Sequence, residues 1–352
     1  MKNLLVTGGA GFIGSAFARA ALAALPSASV VVLDALTYAG NRANLPEHER
    51  LDFVHGDVRD GAGALTLMRE RRIDAVVHFA AETHVDRSIT GPAVFLDTNI
   101  AGTTALLEAA RVYWLDEGGP DSLDRPVRFH QVSTDEVYGD IPEHASPVDE
   151  RARYRPGNPY AASKAAADHL VRAWGRTYGL PWSISHGGNT YGPRQFPEKL
   201  LPLMIANALS DRPLPVYGDG LQRRDWLFVD DHAAAVLAIL GGPANRSWNV
   251  GAGGEHPNLA VIRQLCGVLD EAAPRPTPHA DAITFVADRP GHDRRYAMDV
   301  AAIAAELGWR ASTPLAEGLR RTVDWTLSHR GWLDRVRATP QYQDWLRRHY
   351  KG

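Results

Sequence analysis

The chain opens on a short β-type run that breaks at glycines and passes into a helix-favouring stretch. Residues 3–7 are the run, three glycines follow at spacings of three and three, and 15–25 favours a helix. The first gap is one residue wider than in the standard dinucleotide fingerprint. Glycines allow a backbone to approach a pyrophosphate, and the helix start offers free N–H groups. We therefore predict a strand, a phosphate-binding turn and a helix. The predicted cofactor contacts here are Gly8, Gly11, Phe12, Ile13 and Gly14.

A carboxylate stands at the end of the next predicted strand, residues 29–33. Asp34 lies twenty residues after Gly14. At this position it can accept hydrogen bonds from both hydroxyls of an adenosine ribose, and it would repel a 2′-phosphate. The sequence therefore predicts NAD rather than NADP as the cofactor. The alternative interpretation of Asp34 is an ordinary turn residue at a strand end.

Strands and helical stretches alternate through the first half of the chain. Further β-type runs occupy 51–55, 75–79 and 128–133, with helical stretches near 61–71 and 98–114. This alternation predicts an α/β fold with a Rossmann-type doubly wound parallel sheet, whose ligands bind outside the carboxyl ends of the strands. Four residues at two of those ends are predicted to lie beside the cofactor: Asp57, Val58, Ala80 and Ala81.

The alternation becomes less regular after about residue 185. Pro/Gly-rich segments appear there, with more Trp and Arg. We predict a NAD-binding domain over residues 1–185. Residues 186–352 are predicted to form mainly a smaller, mixed substrate-binding domain, with some segments returning to the first. The last forty residues carry Trp325, Trp332 and Trp345 among arginines, and we interpret them as surface-packed helix without a chemical role.

Charge and cysteine content limit the function classes. The 38 Lys+Arg and 41 Asp+Glu residues give a net charge of -3, which provides no global field for nucleic acid. The single cysteine, Cys266, cannot form an internal disulfide or a cysteine metal cluster, and this favours a reducing compartment. We expect a cytoplasmic protein without a signal peptide, membrane span, metal site or nucleic-acid partner.

A tyrosine and a lysine are spaced for one helix face. Tyr160 and Lys164 lie four residues apart, and Asn158-Pro159 signals the helix start. An isolated phenol is a poor base at neutral pH, but a fixed cation stabilises its phenolate. The pair can take the proton of a substrate hydroxyl while hydride leaves the same carbon for NAD. This spacing also occurs by chance in many helices, so the dinucleotide turn is needed to favour the catalytic interpretation.

The segment Ser133–Gly139 reads STDEVYG. With the turn and the Tyr/Lys pair, it resembles extended short-chain dehydrogenase/reductases that act on nucleotide sugars. The adjacent Asp-Glu pair is similar to that of the dTDP-glucose 4,6-dehydratase family, whereas epimerases of the superfamily generally lack it. The resemblance covers nearly the whole chain through further motifs: Leu36–Asn41, Ala81–Ser88, Phe196–Leu200, Arg224–Trp226 and Asp288–Asp293.

The resemblance implies a reaction in which carbon 4 of a hexose is oxidised and water is then eliminated across carbons 5 and 6. Glu136 is the implied base at carbon 5, and Asp135 is the acid that protonates the departing hydroxyl. A like-charged neighbour and a desolvated pocket would keep Asp135 protonated. Thr134 is implied to bind the oxygen at carbon 4. Tyr160 and Lys164 complete the implied catalytic set, and the product is a 4-keto-6-deoxy sugar.

A nucleotide sugar needs cations and planar donors around its diphosphate. Lys199, Arg224 and Arg289 are the candidate cations, with Asn189 as an uncharged donor. The family would place Asn189 and Arg224 near the phosphates. Solvated surface arginines are the alternative interpretation. The resemblance further implies substrate contacts at Tyr217, Asn258, His84, Ser88 and His292, and a cofactor contact at Thr37.

One segment departs from the family pattern. Where relatives usually have Arg or Asn, Cys, Ser, Asn, Asn, Tyr, Gly, this chain has His186–Gly192, reading HGGNTYG. Gly188 lacks a hydroxyl and Thr190 lacks an amide close to the expected meeting point of nicotinamide and sugar. Harmless drift is the alternative. Ala35 also replaces a longer polar side chain of some relatives. The departures bear on which sugar or nucleotide is bound rather than on the reaction type.

Several functional alternatives stay open at this point. They are a nucleotide-sugar 4-epimerase or decarboxylase, the same dehydration on another nucleoside diphosphate sugar, and a non-catalytic NAD-binding regulator. The resemblance also implies a homodimer joined by a four-helix bundle. The candidate helical stretches are 98–114 and 160–177.

Overall fold

The computed structural model describes residues 1–119 and 126–349. The strands are β1 (Asn3–Thr7), β2 (Ser29–Asp34), β3 (Leu51–His55), β4 (Ala75–His78), β5 (Arg128–Thr134), β6 (Trp182–Gly187), β7 (Asn189–Tyr191), β8 (Leu214–Tyr217), β9 (Arg223–Phe228), β10 (Arg246–Val250), β11 (Glu255–Pro257) and β12 (Ile283–Val286).

The helices are α1 (Phe12–Ala24), α2 (Gly61–Glu70), α3 (Val85–Thr90), α4 (Ala93–Leu96), α5 (Thr103–Arg111), α6 (Pro159–Tyr178), α7 (Leu200–Ala208), α8 (Val229–Gly241), α9 (Asn258–Ala272), α10 (Ala301–Leu307), α11 (Leu315–Ser328), α12 (Arg330–Arg337) and α13 (Pro340–His349). Wider π-helical turns follow α4 and α5, over Asp97–Gly102 and Val112–Asp116.

A seven-stranded sheet forms the centre of the molecule. Its strand order is β10-β6-β5-β4-β1-β2-β3, and every pairing is parallel. Helices α1 and α8 pack together over one face, and α2, α5 and α6 cover the other. Because both faces are buried, β1, β2 and β4 are nearly continuous apolar runs rather than alternating ones, whereas β5 and β6 also carry buried polar side chains such as His130 and Ser185. The predicted α/β fold with a Rossmann-type parallel sheet is confirmed.

Residues beyond β6 add a smaller mixed region. A three-stranded sheet has the order β11-β9-β7, and β8 pairs with β12. Helices α7, α9 and α11 share an apolar cluster with these strands. Strand β10 returns to the large sheet, where it pairs with β6. Strand β6 itself runs across residue 185, so the division at that residue stays a prediction.

The C-terminal residues are helical, as predicted, and they dock against the rest of the molecule through aromatic side chains. Trp332 and Trp345 are buried in an apolar cluster with Phe196 and Tyr342. The indole N–H of Trp332 donates to Asn44 Oδ1 at 2.9 Å. Amphipathic helices bury their aromatic face wherever a partner surface exists, and here that surface is formed by Phe196 and α7, with the loop that follows β2 at its edge. No helix in the described part of the chain has the length and apolar content needed to cross a membrane.

Candidate active site

A cavity of about 390 Å³ opens at the carboxyl ends of the central strands, as expected for a doubly wound sheet. A second cavity, of about 160 Å³, lies beside it. Glu136, Asn189 and Lys199 line both. The two cavities therefore meet at the end of β5, where one long ligand or two ligands can be brought into contact. The described residues contain no group of three or more His, Cys, Asp or Glu side chains placed to hold a metal ion.

The glycine turn is shaped by close backbone approaches. Gly8 has a φ of +67°, and a Cβ there would lie 2.6 Å from Ala80 N. A Cβ on Gly14 would collide with the carbonyl oxygen of Gly8. Helix α1 begins after Gly11 without any side-chain cap. Its first N–H groups are therefore available to an anion, as a pyrophosphate requires.

Asp34 organises the loop beside this turn. Its Oδ2 accepts the backbone N–H of Ala10 at 2.9 Å, and its Oδ1 accepts that of Leu36 at 2.8 Å. Burial raises the pKa of this carboxyl group. Each carboxylate oxygen retains a further lone pair, so Asp34 can still accept hydrogen bonds from hydroxyl groups. All the predicted cofactor residues line the larger cavity: Gly8, Gly11, Phe12, Ile13, Gly14, Asp34, Thr37, Asp57, Val58, Ala80, Ala81, Tyr160 and Lys164.

The end of β5 presents an unusual carboxyl group. Thr134 Oγ1 accepts the backbone N–H of Glu136 at 3.3 Å and donates to Asp135 Oδ1 at 3.2 Å. Asp135 is 2% exposed, and its Oδ2 has no hydrogen-bond partner among the described residues. Burial and then the neighbouring charge of Glu136 raise the pKa of Asp135 to about 8. Asp135 is therefore protonated at neutral pH and can donate a proton.

Glu136 is held from two sides. Asn158 Nδ2 donates to its Oε2 at 3.2 Å, and the hydroxyl of Tyr296 lies 3.4 Å from the same oxygen. Tyr296 also donates to Asp293 Oδ2 at 2.7 Å. Sequence reasoning missed Tyr296, although it stands three residues after the end of a quoted motif. The contact joins positions 160 residues apart, and no local pattern indicates it.

Tyr160 and Lys164 lie on the first turns of α6. Asn158 caps this helix by accepting the N–H of Ala161 at 2.9 Å, and Pro159 follows it, as predicted. Lys164 Nζ donates to the carbonyl oxygen of Val132 at 2.8 Å. Burial lowers the pKa of this ammonium group to about 8.

By themselves, the protein surroundings of Tyr160 disfavour its ionisation, and the role of Lys164 in stabilising the phenolate stays a prediction. Burial and the charge of Glu136 raise the pKa of Tyr160 above its ordinary value, and a hydrogen bond with Thr134 lowers it only in part. The physical reason is desolvation, which disfavours the charged phenolate. A positive charge next to the ring would shift this balance the other way.

The second cavity gathers most of the predicted substrate residues. Arg224 donates to the carbonyl oxygen of Asp293 at 2.8 Å and lies over the ring of Tyr296, 4.2 Å from its centroid. Arg289 pairs with Asp86 at 2.9 Å, and Lys199 Nζ donates to the carbonyl oxygen of Thr83. The predicted residues that line this cavity are His84, Asn189, Lys199, Tyr217, Arg224, Asn258, Arg289 and His292.

Ser88 is the exception among the predicted substrate residues. It is fully buried, and its hydroxyl donates to the carbonyl oxygen of Val85 at 2.6 Å within α3. It lines neither cavity. Its position in a matched motif did not reveal that its side chain points back along its own helix. The structure therefore corrects its assignment as a substrate contact.

Comparison with known proteins adds an independent line of support. Residues 5–322 match the model of the GDP-mannose 4,6 dehydratase family. The chain is 48% identical over 363 residues to the dTDP-glucose 4,6-dehydratase of Salmonella typhimurium strain LT2, covering 99% of each chain. It is 51% identical over 337 residues to the enzyme of the same name from Neisseria gonorrhoeae, covering 94% of this chain and 96% of the relative.

Solved structures of dehydratases and epimerases share the fold of this chain. A dTDP-glucose 4,6-dehydratase from Streptomyces venezuelae with NAD bound superposes with a TM-score of 0.85 at 45% identity, covering 95% of this chain and 99% of the other. A UDP-glucose 4-epimerase from Thermus thermophilus in complex with NAD gives a TM-score of 0.81 at 33% identity, covering 93% and 99%. The fold is thus shared by two enzyme classes, and the site must distinguish them.

Proposed function

The chain belongs to the GDP-mannose 4,6 dehydratase family, and from this we propose that it is an NAD-dependent dTDP-glucose 4,6-dehydratase. It converts dTDP-glucose to dTDP-4-keto-6-deoxyglucose. The high identity to dehydratases over the whole chain supports the reaction. The structures of relatives solved with NAD support the cofactor.

The observation that carries this proposal is the pair of carboxyl groups at the end of β5. Asp135 is buried with a pKa raised to about 8, whereas the adjacent Glu136 accepts a hydrogen bond from Asn158. Environments that separate two neighbouring carboxyl groups in this way assign one as acid and the other as base. Elimination of water across two carbons needs both at once. An epimerase only oxidises and reduces carbon 4 and has no use for such a pair.

The chain's residues fit the cofactor. The turn at Gly8 and Gly14 excludes side chains, and α1 leaves free N–H groups for the pyrophosphate. Asp34 lines the same cavity, and we assign it to the adenosine ribose. When bound, NAD accepts a hydride from carbon 4 and returns it to carbon 6. Its positive nicotinamide ring supplies the charge that makes Tyr160 a better base.

The steps performed by the protein follow from these positions. Tyr160, aided by Lys164, takes the proton of the hydroxyl at carbon 4 as this carbon is oxidised to a ketone. Thr134 donates a hydrogen bond to the resulting oxygen. The ketone makes the proton at carbon 5 acidic, and Glu136 removes it. Asp135 gives its proton to the hydroxyl at carbon 6, which leaves as water. Glu136 then gives its proton back to carbon 5 when carbon 6 is reduced, and Asp135 regains a proton from solvent before the next turnover.

The second cavity is proposed to hold the nucleoside diphosphate. Its cations, Lys199, Arg224 and Arg289, surround a space that continues into the site of Glu136. Asn189 lies where both cavities meet and can bind the phosphates or the sugar. Tyr217 and Asn258 line the far part of the cavity, where we place the base and the deoxyribose.

The quaternary structure and the compartment are part of the proposal as well. We propose a homodimer, because α5 and α6 pack side by side and large apolar side chains are exposed at Leu115, in the turn after α5, and at Tyr178, the last residue of α6. A partner of the same chain would cover these side chains. A sedimentation measurement tests this dimer. The single cysteine favours the cytoplasm.

A panel of sugar nucleotides tests the proposed function. We expect a 4-keto-6-deoxy product from dTDP-glucose, detected by its alkaline absorbance, and less product from UDP-, CDP- or GDP-glucose. Turnover of another nucleotide in preference to dTDP would correct the substrate but keep the reaction. A 4-epimer as the product would replace the dehydratase with an epimerase. Absence of any turnover with NAD bound would favour a non-catalytic protein.

A further inference from the structure

The segment that departs from the family pattern contains a space filled by a distant side chain. Gly187 ends β6 and is the register partner of Thr134 on β5. A Cβ at Gly187 would lie 2.6 Å from Cε1 of His232. The imidazole of His232, from the first turns of α8, therefore lies directly against the glycine backbone. Any side chain at position 187 would force this ring to move.

The contacts of Thr190 bear on which nitrogen of His232 carries the proton. Thr190 Oγ1 donates to the carbonyl oxygen of Gly188 at 3.1 Å and lies 2.8 Å from His232 Nδ1. A hydroxyl has one proton, and we assign that of Thr190 to the Gly188 carbonyl, which makes the imidazole Nδ1–H the donor in the second contact. Burial lowers the pKa of His232 to about 4, and the ring is neutral. Its Nε2 is therefore an acceptor.

This acceptor has no partner in the protein. His232 is 1% exposed, and its Nε2 makes no hydrogen bond within residues 1–119 and 126–349. A buried acceptor without a donor costs about 1–3 kcal/mol. His232, Gly187 and Thr190 all line the larger cavity, so a ligand in that cavity is the available source of a donor.

The position of His232 indicates which part of the ligand supplies that donor. Helix α8 packs beside α1, and Gly187 is next to Thr134 across one strand pairing. The cavity that runs from the glycine turn to Tyr160 is lined by His232 as well, so a dinucleotide that fills it would bring its reactive ring close to this imidazole. The carboxamide of the nicotinamide carries the N–H₂ donor at that end. A hydroxyl of the sugar is the other donor that could reach there.

We propose that His232 Nε2 accepts a hydrogen bond from the nicotinamide carboxamide, in a subsite completed by Thr190 and opened by Gly187. This inference rests on the proposed NAD cofactor. The subsite fixes one orientation of the nicotinamide ring, and hence the face that hydride leaves and enters. Gly187 and Thr190 then act together in this chain. Gly187 has no side chain and so leaves room for the imidazole, and Thr190 orients it.

Binding of two cofactors to the nucleotide-free full chain tests this proposal. The probes are NAD and its acetylpyridine analogue, in which a methyl ketone replaces the carboxamide and no N–H donor remains. Calorimetry should show that the wild-type chain binds NAD about tenfold more tightly than the analogue. The variant His232→Phe should lose this preference, because it should bind NAD more weakly and the analogue with unchanged affinity. Gly187→Ala, which displaces the ring, should do the same.

Two further variants keep the test decisive. His232→Gln retains an acceptor and should keep part of the preference even if His232→Phe folds poorly, and Thr190→Ser should keep all of it. Equal weakening of both cofactors in His232→Phe and His232→Gln would mean packing only and would overturn the proposal. The proposal would also be overturned if His232→Phe kept the preference for NAD over the analogue but had a raised KM for the nucleotide sugar. The donor to His232 would then be a sugar hydroxyl. Failure of the wild-type chain to bind NAD would instead overturn the proposed function.

Discussion

Thr134 Oγ1 donates a hydrogen bond of 3.2 Å to Asp135 Oδ1, and the other oxygen of Asp135 is buried without a partner among the described residues. One threonine hydroxyl thus touches both the proposed acid and, through the N–H of Glu136, the residue that carries the base. Burial is the main cause of the raised pKa that keeps the Asp135 carboxyl group protonated. The oxygen that lacks a partner is the one free to deliver that proton to a leaving group.

The pH dependence of turnover should reveal this acid. Its pKa is raised to about 8, so Asp135 is protonated below this pH and loses its proton above it. We expect kcat to fall as the pH rises through about 8. Asp135→Asn cannot donate a proton in the same way, and its kcat should be about 10²–10⁴ lower. A basic limb that persists unchanged in this variant would assign it to another group.

Replacement of the base should separate oxidation from elimination. Glu136→Gln keeps the size of the side chain and can still interact with Asn158, but it cannot take the proton from carbon 5. We expect reduced nicotinamide to form and persist on addition of dTDP-glucose, with product formation lowered by about 10²–10⁴. Stopped-flow absorbance measures the first event and product analysis the second. Full turnover in the variant would contradict the role of Glu136.

Tyr296 should position Glu136 rather than react. Its hydroxyl lies 3.4 Å from Glu136 Oε2 and donates to Asp293. The Tyr296 hydroxyl has one proton, so Tyr296→Phe removes one hydrogen bond to a charged group, which contributes about 1.5–3 kcal/mol. We expect kcat to fall about tenfold or more while the KM for dTDP-glucose changes little. A change confined to KM would show that Tyr296 acts in substrate binding instead.

The C-terminal helices should stabilise the loop beside the cofactor turn. Trp332 Nε1 donates to Asn44 Oδ1, and Asn44 Nδ2 donates to the carbonyl oxygen of Ala10 in the glycine turn. Trp332→Phe should lower the free energy of unfolding by about 1 kcal/mol and weaken NAD binding. Trp325→Phe is the matched control, because the indole N–H of Trp325 has no partner among the described residues. Equal effects of the two changes would reduce the role of Trp332 to packing.

The sheet could be predicted from the sequence because its determinants are local. Three of the five predicted β-type runs are followed directly by a glycine or an acidic residue, at Gly8, Asp34 and Gly56, and the parallel pairing follows from the helices between the runs. Predicted and observed strands differ by at most one residue at either end, as between 75–79 and Ala75–His78. The turn at Gly8 and the helix start at Asn158 carry equally local signals.

Other features depend on contacts between distant parts of the chain. His232 reaches Thr190 across 42 positions, and Trp332 reaches Asn44 across 288. No periodicity or motif specifies such pairs. Ser88 shows the opposite case. Its place in a motif predicted a substrate contact, but its hydroxyl donates a hydrogen bond within its own helix. The pKa of Tyr160 likewise depends on burial, about which the sequence spacing to Lys164 gives no information.

The central claim is that oxidation, elimination and reduction occur on one sugar in one site. Turnover of dTDP-glucose that carries deuterium at carbon 4 tests it most directly. We predict a 4-keto-6-deoxy product with the deuterium at carbon 6 of the same molecule, and no net consumption of NAD. A product without deuterium at carbon 6, or a 4-epimer that keeps its hydroxyl at carbon 6, would contradict the assignment of Asp135 and Glu136 to an elimination.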